Sequence, residues 1–130
     1  MGVGGEDFGG TASMGVSFVD LASYRLAAAL ADRVYEIANE LPHPARFAMG
    51  SQLIRAVDSI GANIAESSGR ETEADKRRFL VIARGSLRET EHWLLRAHAR
   101  GLIAEVPEQE LAQLGRVLHA QIRRPGTLGS

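Results

Sequence analysis

Residues 72–101 read TEADKRRFLVIARGSLRETEHWLLRAHARG. Leu80, Ala83, Leu87, Thr90, Leu94 and Ala97 recur at alternating spacings of three and four, the pattern of a helical seam. Thr72 and Asp75 resemble a capping box with Asp in place of the usual Glu. Gly101, directly after Arg100, suits a helix end. These signals predict one helix of about 28 residues, about 40 Å long. Phe79, Ser86 and Trp93 flank its seam.

Working outward, the same period appears three more times and no alternating β-branched run appears anywhere. A first helix is expected from Phe18 to Glu40, with Leu26, Leu30, Val34, Ile37 and Leu41 on one stripe. Asp20 suits its start, and Pro42 and Pro44 stop it. A second is expected from Ala45 to Ser67, with Leu53, Val57, Ile60 and Ile64 facing inward. Gly50 and Gly61 weaken it by roughly 1 kcal/mol each relative to Ala, so packing has to hold it. Gly69 is placed as its C′ residue. The fourth helix is expected to start at Pro107 as its N1 residue, with the stripe Leu111, Leu114, Leu118 and Ile122. Four amphipathic helices with short connections predict an all-α, antiparallel up-down four-helix bundle over residues 17–124. Residues 1–16 hold six of the 14 glycines and read as a flexible segment, as does the tail 125–130.

Composition excludes several classes. The chain has 130 residues, enough for one domain with one core. It is 45% hydrophobic and 24% charged, a globular balance. The 15 basic residues are balanced by 16 acidic ones, so bulk charge names no partner. The absence of cysteine excludes a disulfide scaffold, a thiolate metal site and a Cys nucleophile, and is compatible with the cytoplasm. No signal peptide or membrane span is read. Every basic residue except Lys76 is Arg. The planar guanidinium suits carboxylates and phosphates, although a GC-rich genome gives the same bias.

In the seam helix, Val81, Ile82 and Leu95 point away from the seam. Either they mark an interface with another copy of the chain, or that helix is central and buried all round.

Candidate chemistry is sparse. Glu89 and His92 have the spacing of a di-metal bundle motif. Both fall on the outer side of the helix, and the other such pair, Glu40 and His43, is interrupted by Pro42. No phosphate loop or nucleophile constellation is present, and no cofactor is expected. Arg70, Lys76, Arg77, Arg78, Arg84 and Arg88 cluster within 19 residues. Arg77, Arg84 and Arg88 share a ridge, which suits phosphates; interleaved acids make a solvated, salt-laced face the competing reading. Arg55, Asn63 and Glu66, with Glu89 and Glu91, are assigned to framework and subunit contacts through an ion-pair network between helices or subunits.

Two stretches carry a specific resemblance: SQLIRAVDSI at 51–60 continuing through NIAESSGR at 63–70, and FLVIARGSLRETE at 79–91. They resemble the four-helix-bundle family of 23S rRNA intervening-sequence proteins, also called the S23 ribosomal protein family. The family pattern reads roughly S-Q-x-x-R-A-x-x-S-I-P-x-N-I-A-E-G-x-G-R, then F-L-x-I-A-x-G-S-L-x-E-x-E. Gly61 stands in place of the usual Pro, Ser67 in place of Gly, and Ile54 in place of a frequent Arg. The resemblance implies a ring-shaped homopentamer and no enzyme. It also implies kinship with the accessory variability proteins of diversity-generating retroelements, which bind a reverse transcriptase and its RNA through a basic surface.

The expectation is therefore a non-enzymatic helical assembly protein that binds RNA or DNA, or a nucleic-acid enzyme such as a reverse transcriptase. Its expected contacts are Arg70, Lys76, Arg77, Arg78, Arg84 and Arg88. A protein–protein adaptor is the alternative, and a metal-dependent bundle enzyme a remote one.

Overall fold

The computed structural model describes residues 17–125. The expectations of flexibility for residues 1–16 and for 126–130 lie outside the described residues. Pro125, the last described residue, is buried.

Four long helices form: α1 (Ala22–Asn39), α2 (Ser51–Ser68), α3 (Glu73–Ala99) and α4 (Glu108–Arg123). Among the described residues there is no strand. Local chemistry sets both ends of α3. The Thr72 hydroxyl accepts from the Asp75 main-chain N–H at 3.1 Å, so the expected cap opens α3. Gly101 adopts φ 73°, the left-handed geometry that lets the chain turn away after α3.

Four details differ from the sequence reading. Leu21 is extended (ψ 137°), so Phe18–Asp20 is a separate short 3-10 turn rather than the start of α1. Residues Arg46–Gly50 form a π-helical turn that runs into α2. That wider turn brings Gly50 against α1, where an added Cβ would lie 3.3 Å from the Ala38 carbonyl oxygen. Gly69 has φ −90° and caps α2 in right-handed geometry, so its left-handed freedom is not used. Pro107 is the N-cap of α4 rather than its first helical residue.

Contacts between helices fix their directions. Ser67 near the end of α2 bonds the carbonyl of Lys76 near the start of α3. The start of α3 meets the end of α4 through Arg77 and Ile122. Ser23 at the start of α1 bonds Gln121 at the end of α4, and Arg33 further along α1 pairs with Glu110 at the start of α4. Each pair runs antiparallel. Neighbours in sequence pack together, and α4 closes against α1. This is an up-down four-helix bundle.

The predicted seam is the core. Leu80, Ala83, Leu87, Thr90, Leu94 and Ala97 are all buried, as are Leu53, Val57, Ile60, Ile64, Leu111, Leu114, Leu118 and Ile122. On α1, Leu30 and Val34 are buried, as is Leu41 just beyond its end, while Leu26 and Ile37 pack only partly. Ala27 and Ala38 take their share, because small residues let α1 approach α2 closely. No helix among the described residues is long and apolar enough to cross a membrane.

Candidate nucleic-acid interface

Antiparallel topology brings the start of α1, the end of α2, the start of α3 and the end of α4 to one end of the bundle. Arg25, Arg70, Lys76, Arg77, Arg78, Arg123 and Arg124 therefore share that end. Sequence reasoning assembled only the members on or next to α3. Arg123 and Arg124 lie far along the chain and join them only once α4 is known to return beside the start of α3.

The corner between α2 and α3 is organised by Phe79. The Arg70 guanidinium lies 4.6 Å from the Phe79 ring centroid and that of Arg78 lies 4.5 Å from it. Both distances are in cation–π range. Each guanidinium also has a carboxylate: Glu66 for Arg70, and Asp75 for Arg78 at 3.4 Å. Phe79 is half-buried, and its ring is presented to the two cations. An arginine three residues past an acid and one residue before an aromatic was a readable signal for this stack, and sequence reasoning passed over it.

The other predicted contact residues divide. Arg77 donates from Nε to the Ile122 carbonyl at 3.0 Å and so ties α3 to the end of α4. Arg88 pairs with Glu91 at 2.9 Å along α3. Among the described residues, the ammonium of Lys76 and the guanidinium of Arg84 have no acid within ion-pairing distance. Exposed pairs of this kind contribute at most about 1 kcal/mol, so the carboxylates hold their arginines weakly.

The framework residues behave differently from the expected network. Within one chain, Arg55 donates to Gln52 Oε1 at 2.9 Å, and Glu66 and Glu91 pair with arginines four and three residues away in sequence. Glu89 is exposed. Near neighbours along the chain meet at little entropic cost, and among the described residues no ion pair joins α2 to α3. Neutral groups do that instead. Asn63 donates to the Ser59 carbonyl at 2.9 Å and to Ser59 Oγ at 3.0 Å, and the Ser59 and Ser86 hydroxyls lie 2.8 Å apart.

Glu89 and His92 are both exposed on the outside of the bundle. Among the described residues no three His, Asp or Glu side chains gather where they could hold a metal ion. Val81, Ile82 and Leu95 are 41%, 43% and 55% exposed in the single chain.

The fold defines a four-helix-bundle protein, one end of which gathers seven basic side chains together with Asp20, Glu66, Glu71, Glu73 and Asp75. The model of the 23S rRNA-intervening sequence protein family matches residues 19–124, and the chain belongs to that family. A crystal structure of a protein of unknown function from the S23 ribosomal protein family of Bacteroides thetaiotaomicron VPI-5482 is similar, at TM-score 0.69 and 27% identity. The similarity covers 78% of this chain and 99% of that one. No functionally curated protein matches the chain by sequence.

Proposed function

We propose that this chain is a non-enzymatic, homo-oligomeric bundle protein that binds structured RNA through the basic end described above. The observation that carries the reading is the pair of guanidiniums, Arg70 and Arg78, held over Phe79 beside the unpaired Lys76. Stacking on one ring fixes both forks in place before any ligand arrives. A phosphate group offers each fork a bidentate partner in place of the single contact its carboxylate now supplies. Arg84 continues the cationic line down α3, and Arg123 approaches from α4. The exposed α3 residues Val81, Ile82 and Leu95 support self-association, which repeats the basic face around an assembly. A homopentamer is the arrangement the family resemblance implies, and the cysteine-free composition is compatible with the cytoplasm.

A second reading has its own support. Arg70, Arg78 and Arg88 all have carboxylate partners within the chain. A face whose charges are already matched suits a protein partner, such as an enzyme that works on nucleic acid, rather than RNA itself.

Electrophoretic binding to a structured RNA and to duplex DNA separates the two. The RNA reading expects a shift with the native protein and its loss in the triple variant Lys76→Glu, Arg78→Glu, Arg84→Glu, with helicity retained. Arg77 is left intact because it secures α4. No shift at low salt, together with a partner that survives nuclease treatment, would favour the adaptor reading.

A further inference from the structure

Two unpartnered surfaces of this chain complement one another. The first is a ridge on the outer side of α3. Val81, Arg88 and Leu95 repeat every seven residues, as do Ile82, Glu89 and Arg96, so two columns run side by side there. Between them lies Gly85, where an added Cβ would meet nothing within 4 Å. A glycine in the exposed interior of a long helix costs about 1 kcal/mol relative to Ala, and nothing within the chain accounts for it. A backbone bare at this point lets another surface approach closely.

The second surface is an open groove of about 410 Å³ between α1 and α2. Its walls include Tyr24, Ala28, Ala31 and Ala62, and it carries two carboxylates, Asp32 and Asp58. Neither carboxylate has a cationic partner among the described residues, and on the ridge Arg96 lacks an acidic one. Tyr35, one turn beyond Ala31 on the same face, is 55% exposed. Of the six large apolar side chains left exposed among the described residues, Val81, Ile82 and Leu95 are on the ridge and Tyr35 extends the groove's face, while Val19 and Phe47 line neither surface. The groove is acidic with small-residue walls, and the ridge is apolar with two arginines, Arg88 and Arg96, against one acid, Glu89, in its columns.

We propose that the α3 ridge of one subunit seats in the α1–α2 groove of the next, with Gly85 at the closest approach. The inference rests on the self-association proposed above and specifies which surfaces meet. Because ridge and groove are different surfaces, the contact is heterologous: every subunit gives one surface and receives the other, and repetition closes a ring when the rotation permits.

Complementation between two blocked variants tests this. Ala62→Arg fills the groove, and the double variant Val81→Glu, Leu95→Glu charges the ridge; all three positions are exposed. Mass is read by light scattering and fold by circular dichroism. If Ala62→Arg loses helicity, Asp58→Lys at the same groove takes its place. The native chain is expected to assemble and each variant alone to run at the 14.0 kDa chain mass. An equimolar mixture is expected to run at twice that mass, since one intact ridge and one intact groove remain. A groove variant that assembles like the native chain overturns the inference and leaves self-association standing. So does a mixture of folded variants that stays monomeric. A monomeric native chain overturns both.

Discussion

Arg77 and Ile122, 45 residues apart in sequence, are joined by a 3.0 Å hydrogen bond from the arginine Nε to the isoleucine carbonyl. The last carbonyls of a helix have no partner within it, so this guanidinium closes the end of α4. Removing it should therefore cost stability. Arg77→Ala is expected to lower stability by about 1 kcal/mol, less than a well-buried charged hydrogen bond contributes, because the site is partly wet. Arg78→Ala, which loses only an exposed pair, is expected to change it by less than about 0.5 kcal/mol. Thermal unfolding of the two variants side by side checks the difference.

Ser67 occupies the position where the family pattern has Gly, and the structure gives it work. It is buried, and its hydroxyl donates to the Lys76 carbonyl at 2.8 Å, binding the end of α2 to the first turn of α3. Ser67→Ala is expected to cost about 1 kcal/mol in denaturant unfolding. An unchanged midpoint would mean that the α2–α3 turn is held by packing alone.

The pair Ser23 and Gln121 is buried where α1 meets α4. A lone Ser23→Ala strands the Gln121 amide oxygen away from water, which is expected to cost about 1–3 kcal/mol. The double variant Ser23→Ala, Gln121→Leu strands nothing and should recover most of that loss. A double-mutant cycle by denaturant unfolding reads the coupling; additive losses would contradict it.

Glycines inside the helices are not equivalent. A Cβ on Gly115 would meet Leu87 Cδ2 at 3.7 Å, ordinary contact, whereas one on Gly50 would press on the Ala38 carbonyl oxygen at 3.3 Å. Gly115→Ala is expected to stabilise by up to about 1 kcal/mol through helix propensity, and Gly50→Ala to gain nothing or lose. Melting temperatures of the two variants decide it.

The α3 seam was legible because hydrophobic spacing and burial answer to the same period: all six positions from Leu80 to Ala97 are buried. The Thr72 cap was legible because it is built from residues three apart. What escaped the reading depends on tertiary neighbours. Arg77 looks like one more surface cation until α4 returns beside it. The π turn at Arg46–Gly50 answers to the approach of Gly50 to Ala38, which no local pattern announces. Gly69 fitted the composition of a left-handed cap, yet the chain leaves α2 through a right-handed turn with Arg70 donating to the Ser67 carbonyl. The basic end was half legible: its α3 members cluster in sequence, whereas Arg123 joins them only through topology.

The most direct test of the central claim is the salt dependence of binding to a structured RNA. Each phosphate neutralised contributes a slope of roughly −0.7 to −0.9 in log K against log salt. The native protein is expected to bind at low salt with a steep slope, and the triple variant Lys76→Glu, Arg78→Glu, Arg84→Glu to bind more weakly with a slope shallower by about 2–3. Binding that ignores salt, or a variant whose slope matches the native protein, would contradict the account.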